Sequence, residues 1–172
     1  MRKIILSLSL IVMPLIIAGS ATALSDAQRQ VIAGECDTIH RVLESLQKTD
    51  SKTRVKLGYY YETILSKFMI PLNSRLVKNS ISNSELINIQ TEFKEAKQNF
   101  SDDFVAYQKN LEALLGMNCN GDPDAFYEKI VSVRSDRAKV RQDTVKLKDL
   151  ITKHRDAVKK LMERLWQEAV KT

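Results

Sequence analysis

Histidine, cysteine, proline, glycine and tryptophan are all scarce in this chain of 172 residues, which has two His, two Cys, three Pro, five Gly and one Trp. So little glycine and proline leaves few sharp turns, which excludes a loop-rich or many-stranded architecture. Two cysteines are too few for a multi-disulfide scaffold, and two histidines without a glycine-rich phosphate loop leave little material for metal or nucleotide chemistry. Paired catalytic acids, a Ser/His/Asp set, a His-x-x-x-His spacing and a Glu-x-x-His motif are missing too. The sequence therefore names no nucleophile, general base, cofactor or metal site, and it reads as non-enzymatic.

What is present is charge and helical period. Hydrophobic residues make up 44% of the chain and charged ones 28%, a balance that suits one folded domain rather than a disordered tail. The net charge of +6 is unevenly housed. Residues 24–124 carry 12 basic and 14 acidic side chains, whereas 125–172 carry 13 basic and 7 acidic, so the basicity belongs to the last segment. There Arg134, Arg141, Lys148 and Arg155 recur every seven residues, with Lys139, Lys146, Lys153 and Lys160 on a neighbouring strip. Such ridges suit peripheral contact with an anionic membrane or polymer, although flanking charge beside a coiled-coil seam is the simpler reading. Nucleic acid is not an expected partner, because Asp149, Asp156 and Glu163 dilute the field and no aromatic rings interleave for base stacking.

Arg2 and Lys3 precede an uncharged run from Ile4 to Ala18, and Ala21-Thr22-Ala23 then supplies small residues, the pattern of a cleavable signal peptide over 1–23. The run is shorter than the roughly 20 residues a membrane-spanning helix needs, and Pro14 interrupts it. Retention as an N-terminal anchor is the alternative. Ile17-Ala18-Gly19-Ser20 resembles a bacterial lipoprotein box, but Ser20 stands where the lipid-accepting cysteine belongs, so no thioether can form. The expected location is exported: periplasm, cell envelope or outside. In such an oxidising compartment Cys36 and Cys119 are expected to form a disulfide.

From Ser25 and Gln28, which have capping-box spacing, apolar positions fall at Ile32, Cys36, Ile39, Leu43 and Leu46, and the phase continues through Asp50 and Thr53 to Leu57, Tyr60 and Ile64. The spacing predicts one helix over about 26–79, bent near Pro71. Tyr59, Tyr60 and Tyr61 cannot all point inward on it. After a turn at 79–83, with Ser82 and Glu85 as a second capping box, Leu86, Ile89, Phe93, Ala96, Phe100, Phe104, Tyr107, Leu111 and Leu114 form the stripe of a helix over 84–116. Asp122 and Pro123 open a third helix, about 122–170. Its seam is Phe126, Ile130, Val133, Arg137, Val140, Thr144, Leu147, Ile151, His154, Val158, Leu161 and Leu165, in alternating steps of four and three.

These elements predict an all-α fold, an elongated antiparallel three-helix coiled coil formed by a single domain over 24–172. The alternative is a four-helix up-down bundle with a break near residue 50. A Cys36–Cys119 bridge favours three helices, because four would put the two sulfurs at different levels. At 1.5 Å per residue the third helix should pass the 79–84 turn at about residue 157. Val158, Leu161, Met162, Leu165 and Trp166 are therefore expected to continue an apolar face without an intramolecular partner, a surface for self-association or a protein partner. A two-histidine site from His40 and His154 is not expected, since the alignment sets them at opposite ends.

Arg54-Val55-Lys56-Leu57-Gly58, Tyr61-Glu62, Met69-Ile70-Pro71-Leu72-Asn73-Ser74-Arg75-Leu76 and Phe126-Tyr127 resemble small exported coiled-coil proteins of reduced-genome bacteria. That resemblance implies an exported helical protein and supplies no site residues. In export signal, size and basicity the chain is also similar to the tentacled outer-membrane chaperones, which makes a periplasmic holdase or envelope adaptor an alternative function. Those chaperones carry strands for trimer assembly, and no alternating strand pattern occurs here. The expected function is that of a non-enzymatic interaction or scaffold protein acting through its last helix.

Overall fold

A computed structural model describes residues 24–81 and 83–171. The expected signal peptide and Ser82 lie outside the described residues. The fold is all-helical, 90% helix, and no strand occurs among the described residues.

Helix α1 spans Asp26–Gly34 and opens on the expected box: the Gln28 amide donates to Ser25 Oγ at 3.3 Å, and the Ser25 amide donates to Gln28 Oε1 at 2.9 Å. Helix α2, Cys36–Thr63, follows after an interruption at Glu35 only. Main-chain bonds bridge that point, Glu35 N–H to the Val31 carbonyl and Ile39 N–H to that of Glu35. No break occurs near residue 50, so the sequence's alternative is not seen there.

A π-helical stretch, Ile64–Met69, joins α2 to α3, Ile70–Lys78. Pro71 explains it: proline has no amide hydrogen, and its ring would collide with the carbonyl of residue 67 in a regular helix. Widening the preceding turn removes the clash, and the Ile70 amide reaches back five residues to Leu65. The helix gains an extra residue, and its inward face shifts. Tyr61, Leu65, Met69, Asn73 and Leu76 are buried, whereas the expected Tyr60 is 50% exposed and Ile64 is only partly covered. The Tyr61 ring instead meets Phe93 and Phe100 edge-on, with centroids 6.2 and 5.5 Å away.

Ser80 turns the chain with φ of 57°, and Asn83 rather than Ser82 caps the next helix, its Oδ1 accepting the Leu86 amide at 3.0 Å. Helix α4, Ser84–Leu115, buries all nine residues of the stripe read from the sequence. Asp122 Oδ1 accepts the Ala125 amide at 3.0 Å and starts α5, Pro123–Lys171, about 73 Å long. Its buried residues are Phe126, Val133, Leu147, Leu150, Ala157 and Leu161. Leu150 and Ala157 lie beside the expected seam, so the upper half of α5 buries a wider face than a strict heptad line.

Polar pairs fix the levels. Going up α2, Asp50 meets Tyr107, Ser51 meets Gln108, and Glu62 pairs with Lys97, while on α3 Asn73 donates to the Leu86 carbonyl. From the Asp50 and Ser51 level through Glu62 to Asn73, the partners on α4 fall from Tyr107 and Gln108 through Lys97 to Leu86, so α4 runs antiparallel to this first rod. Asn110 joins α4 to both Lys129 and Asp136 of α5. Arg29 binds Asp124 at 2.8 Å, and the Cys36–Cys119 disulfide, Cα atoms 5.7 Å apart, ties α2 to the loop before α5.

Candidate functional site

The end of α5 is shorter of free surface than its sequence implies. Asn83, Ser84 and Glu85 face one hollow together with Ala157, Lys160, Leu161 and Arg164, so α5 passes the start of α4 over residues 157–164, at and just beyond the expected level. At the other end Phe126, in the first turn of α5, is buried and stacks against His40 at 5.8 Å. Leu161 is consequently buried at 4% exposure, and Val158 and Leu165 are partly buried against the core. These three expected contact residues already have partners inside the molecule. Met162, at 65%, and Trp166, at 73%, do not, and Val170, at 71%, continues their line. Steps of four residues drift only about 40° around a helix, so these three side chains form one exposed apolar stripe. Lys159 and Glu163, which pair with each other at 4.0 Å, border it with both signs of charge.

At the opposite end Cys36, His40 and Cys119 bring their sulfur and ring-nitrogen atoms within 4.8 Å of one another. The two sulfurs are bonded to each other, so neither is a thiolate able to bind a metal ion. His154 stands 28 positions above Phe126 on α5, about 42 Å along the helix, so the two histidines are far apart.

The basic ridges divide. Arg155 pairs with Asp156 at 3.0 Å, Lys139 with Asp136 at 3.3 Å and Lys153 with Asp149 at 2.8 Å. Arg134, Arg141 and Lys148 are exposed and make no ion pair with the described residues. Two of these three border a groove of about 570 Å³ between α2 and α5. Its floor is Phe100, Phe104 and Tyr107 of α4, one wall is Asp50, Thr53 and Leu57, and the other is α5 from Arg134 to Thr144.

One end of this groove is a rigid polar knot. Asp50 accepts from the Tyr107 hydroxyl at 2.8 Å and from Arg137 Nε and Nη2 at 2.8 and 3.1 Å. Burial, followed by the hydrogen bond and negative charge of Asp50, pushes the Tyr107 hydroxyl well above its usual range. Bonding to the same carboxylate raises Arg137 further. Towards the other end burial raises the Tyr61 hydroxyl as well, and Thr144 Oγ1 donates to the Val140 carbonyl at 3.0 Å. Sequence reasoning missed the groove, although Arg134, Arg137 and Arg141 at i, i+3 and i+7 signal one arginine-rich face. The chain matches no family model, no curated protein and no solved structure.

Proposed function

We propose that this is an exported, non-enzymatic interaction protein, an antiparallel three-helix coiled coil that pairs with a second copy of itself through the far end of α5. The observation that carries this reading is the exposed stripe of Met162, Trp166 and Val170, which lies where α5 leaves its companions. Large rings and flexible thioethers clustered on one helical face are the usual anchors of helix-to-helix contacts. The stripe's own charges support self-pairing over an oppositely charged partner: Lys159 and Glu163, one of each sign and paired with each other at 4.0 Å, lie beside it and can exchange partners with the same two residues of an antiparallel second copy. Export fits the Cys36–Cys119 bridge and the absence, among the described residues, of any helix long and apolar enough to cross a membrane.

Sedimentation velocity on the 24–172 protein tests this reading. A concentration-dependent shift from monomer to dimer is expected, and the Met162→Ser/Trp166→Ser/Val170→Ser variant should stay monomeric. Identical monomeric behaviour of both proteins at every concentration overturns self-pairing, and stable capture of a different protein by the intact stripe would replace the second copy with that partner.

A further inference from the structure

The groove between α2 and α5 combines features that the coiled-coil function does not use. Its floor is aromatic and apolar, with Phe100 and Phe104 at its base and Leu57 and Val140 on its sides. Its mouth carries two guanidinium groups, Arg134 and Arg141, that have no acid partner among the described residues. The one carboxylate in the lining, Asp50, is already saturated by Tyr107 and Arg137. A hydrocarbon floor under unneutralised positive charge is complementary to a molecule with an apolar chain and a negative head.

We infer that this groove binds a free single-chain amphiphile with a carboxylate head, its chain between Leu57 and Val140 above the buried rings of Phe100 and Phe104, and its head between Arg134 and Arg141. The dimensions agree. From Arg134 to Thr144 the α5 wall rises about 15 Å, enough to lay a medium-length alkyl chain along the bundle axis. About 570 Å³ falls in the range of small-molecule sites. The head requires arginine chemistry: a guanidinium offers a flat pair of donors that match the two oxygens of a carboxylate. The Asp50–Arg137–Tyr107 knot bridges the two walls at the level of the head. Two other hollows have less apolar lining: one is bordered by Arg54, Lys97 and Gln98, the other by Glu62, Lys94 and Glu95.

Isothermal titration of the 24–172 protein with dodecanoate, below its micellar concentration, is the test. Saturable binding of one dodecanoate per chain is expected. Arg134→Gln/Arg141→Gln, both exposed and safe for folding, should weaken it about tenfold or more, the scale of losing charge-assisted bonds to the head. Lys148→Gln, on the same ridge but outside the groove, should leave it unchanged. Dodecyltrimethylammonium, with the same chain and the opposite charge, should not saturate. Equal binding by the double arginine variant, an equal loss in Lys148→Gln, or binding only to anionic phospholipid vesicles overturns the assignment. None of these outcomes depends on the Met162–Trp166–Val170 stripe.

Discussion

Single residues decide how the bundle responds to pH. His154 is half-buried, its Nε2 has no hydrogen-bond partner, and burial holds its pKa below the ordinary histidine value of 6.5. The neutral ring therefore belongs to the folded state and the charged ring to the unfolded one. Its contribution to stability is complete above pH 6.5 and is lost as pH falls through the lower folded value. Asp143 works in the opposite sense, because burial and then Asp103 raise its pKa, against a smaller lowering by Lys146. Its carboxylate is disfavoured in the fold, so the folded state gains as pH falls towards that raised value. Denaturant melts at pH 7.5 and 5.5 should show wild-type stability falling, with the fall largely abolished in His154→Gln and kept in Asp143→Asn. An equal fall in all three proteins would place the sensitivity elsewhere.

At the scale of the element, the tyrosine triplet marks where the sequence stops being legible. The periodicity of α2 points to Tyr60, yet Tyr61, four residues after Leu57 and just before the π-helical stretch, is the one turned inward at 3% exposure, with Tyr60 at 50%. Tyr61→Ala should cost about 3 kcal/mol, the lower end for emptying a large aromatic from a core. Tyr60→Ala should cost well under about 1 kcal/mol, as surface substitutions do. Urea unfolding of the two variants checks the register, and a larger loss in Tyr60→Ala would restore the phase read from sequence. The α4 stripe was fully legible, because its nine apolar positions face both neighbours and nothing in 84–115 distorts the helix. The α5 seam was legible only in part: Leu150 and Ala157 are buried beside the heptad line, a width that a single-helix pattern does not specify. Leu161 was misplaced because the cover it receives where α5 passes the start of α4 is a tertiary feature that helix lengths alone do not fix.

For the whole molecule, one bridge and one free end matter most. The Cys36–Cys119 bond joins residues 83 positions apart and holds the lower ends of the rods at one level, and the two cysteines announced it through their isolation and the export signal. The groove could not be read in this way. Its walls come from positions separated by about ninety residues, such as Asp50 and Arg137, and only packing brings them together. The stripe at the upper end is the surface on which the proposed function stands. Trp166 lies in its middle and is the only tryptophan in the chain, so its fluorescence reports on that surface alone. Acrylamide quenching of Trp166 should therefore be measured while the 24–172 protein is concentrated from dilute to high micromolar. Self-pairing predicts strong quenching when dilute, then protection and a blue-shifted emission as copies meet, with both changes absent in Met162→Ser/Val170→Ser. A Trp166 that stays equally quenched and equally red-shifted across the whole range would contradict it.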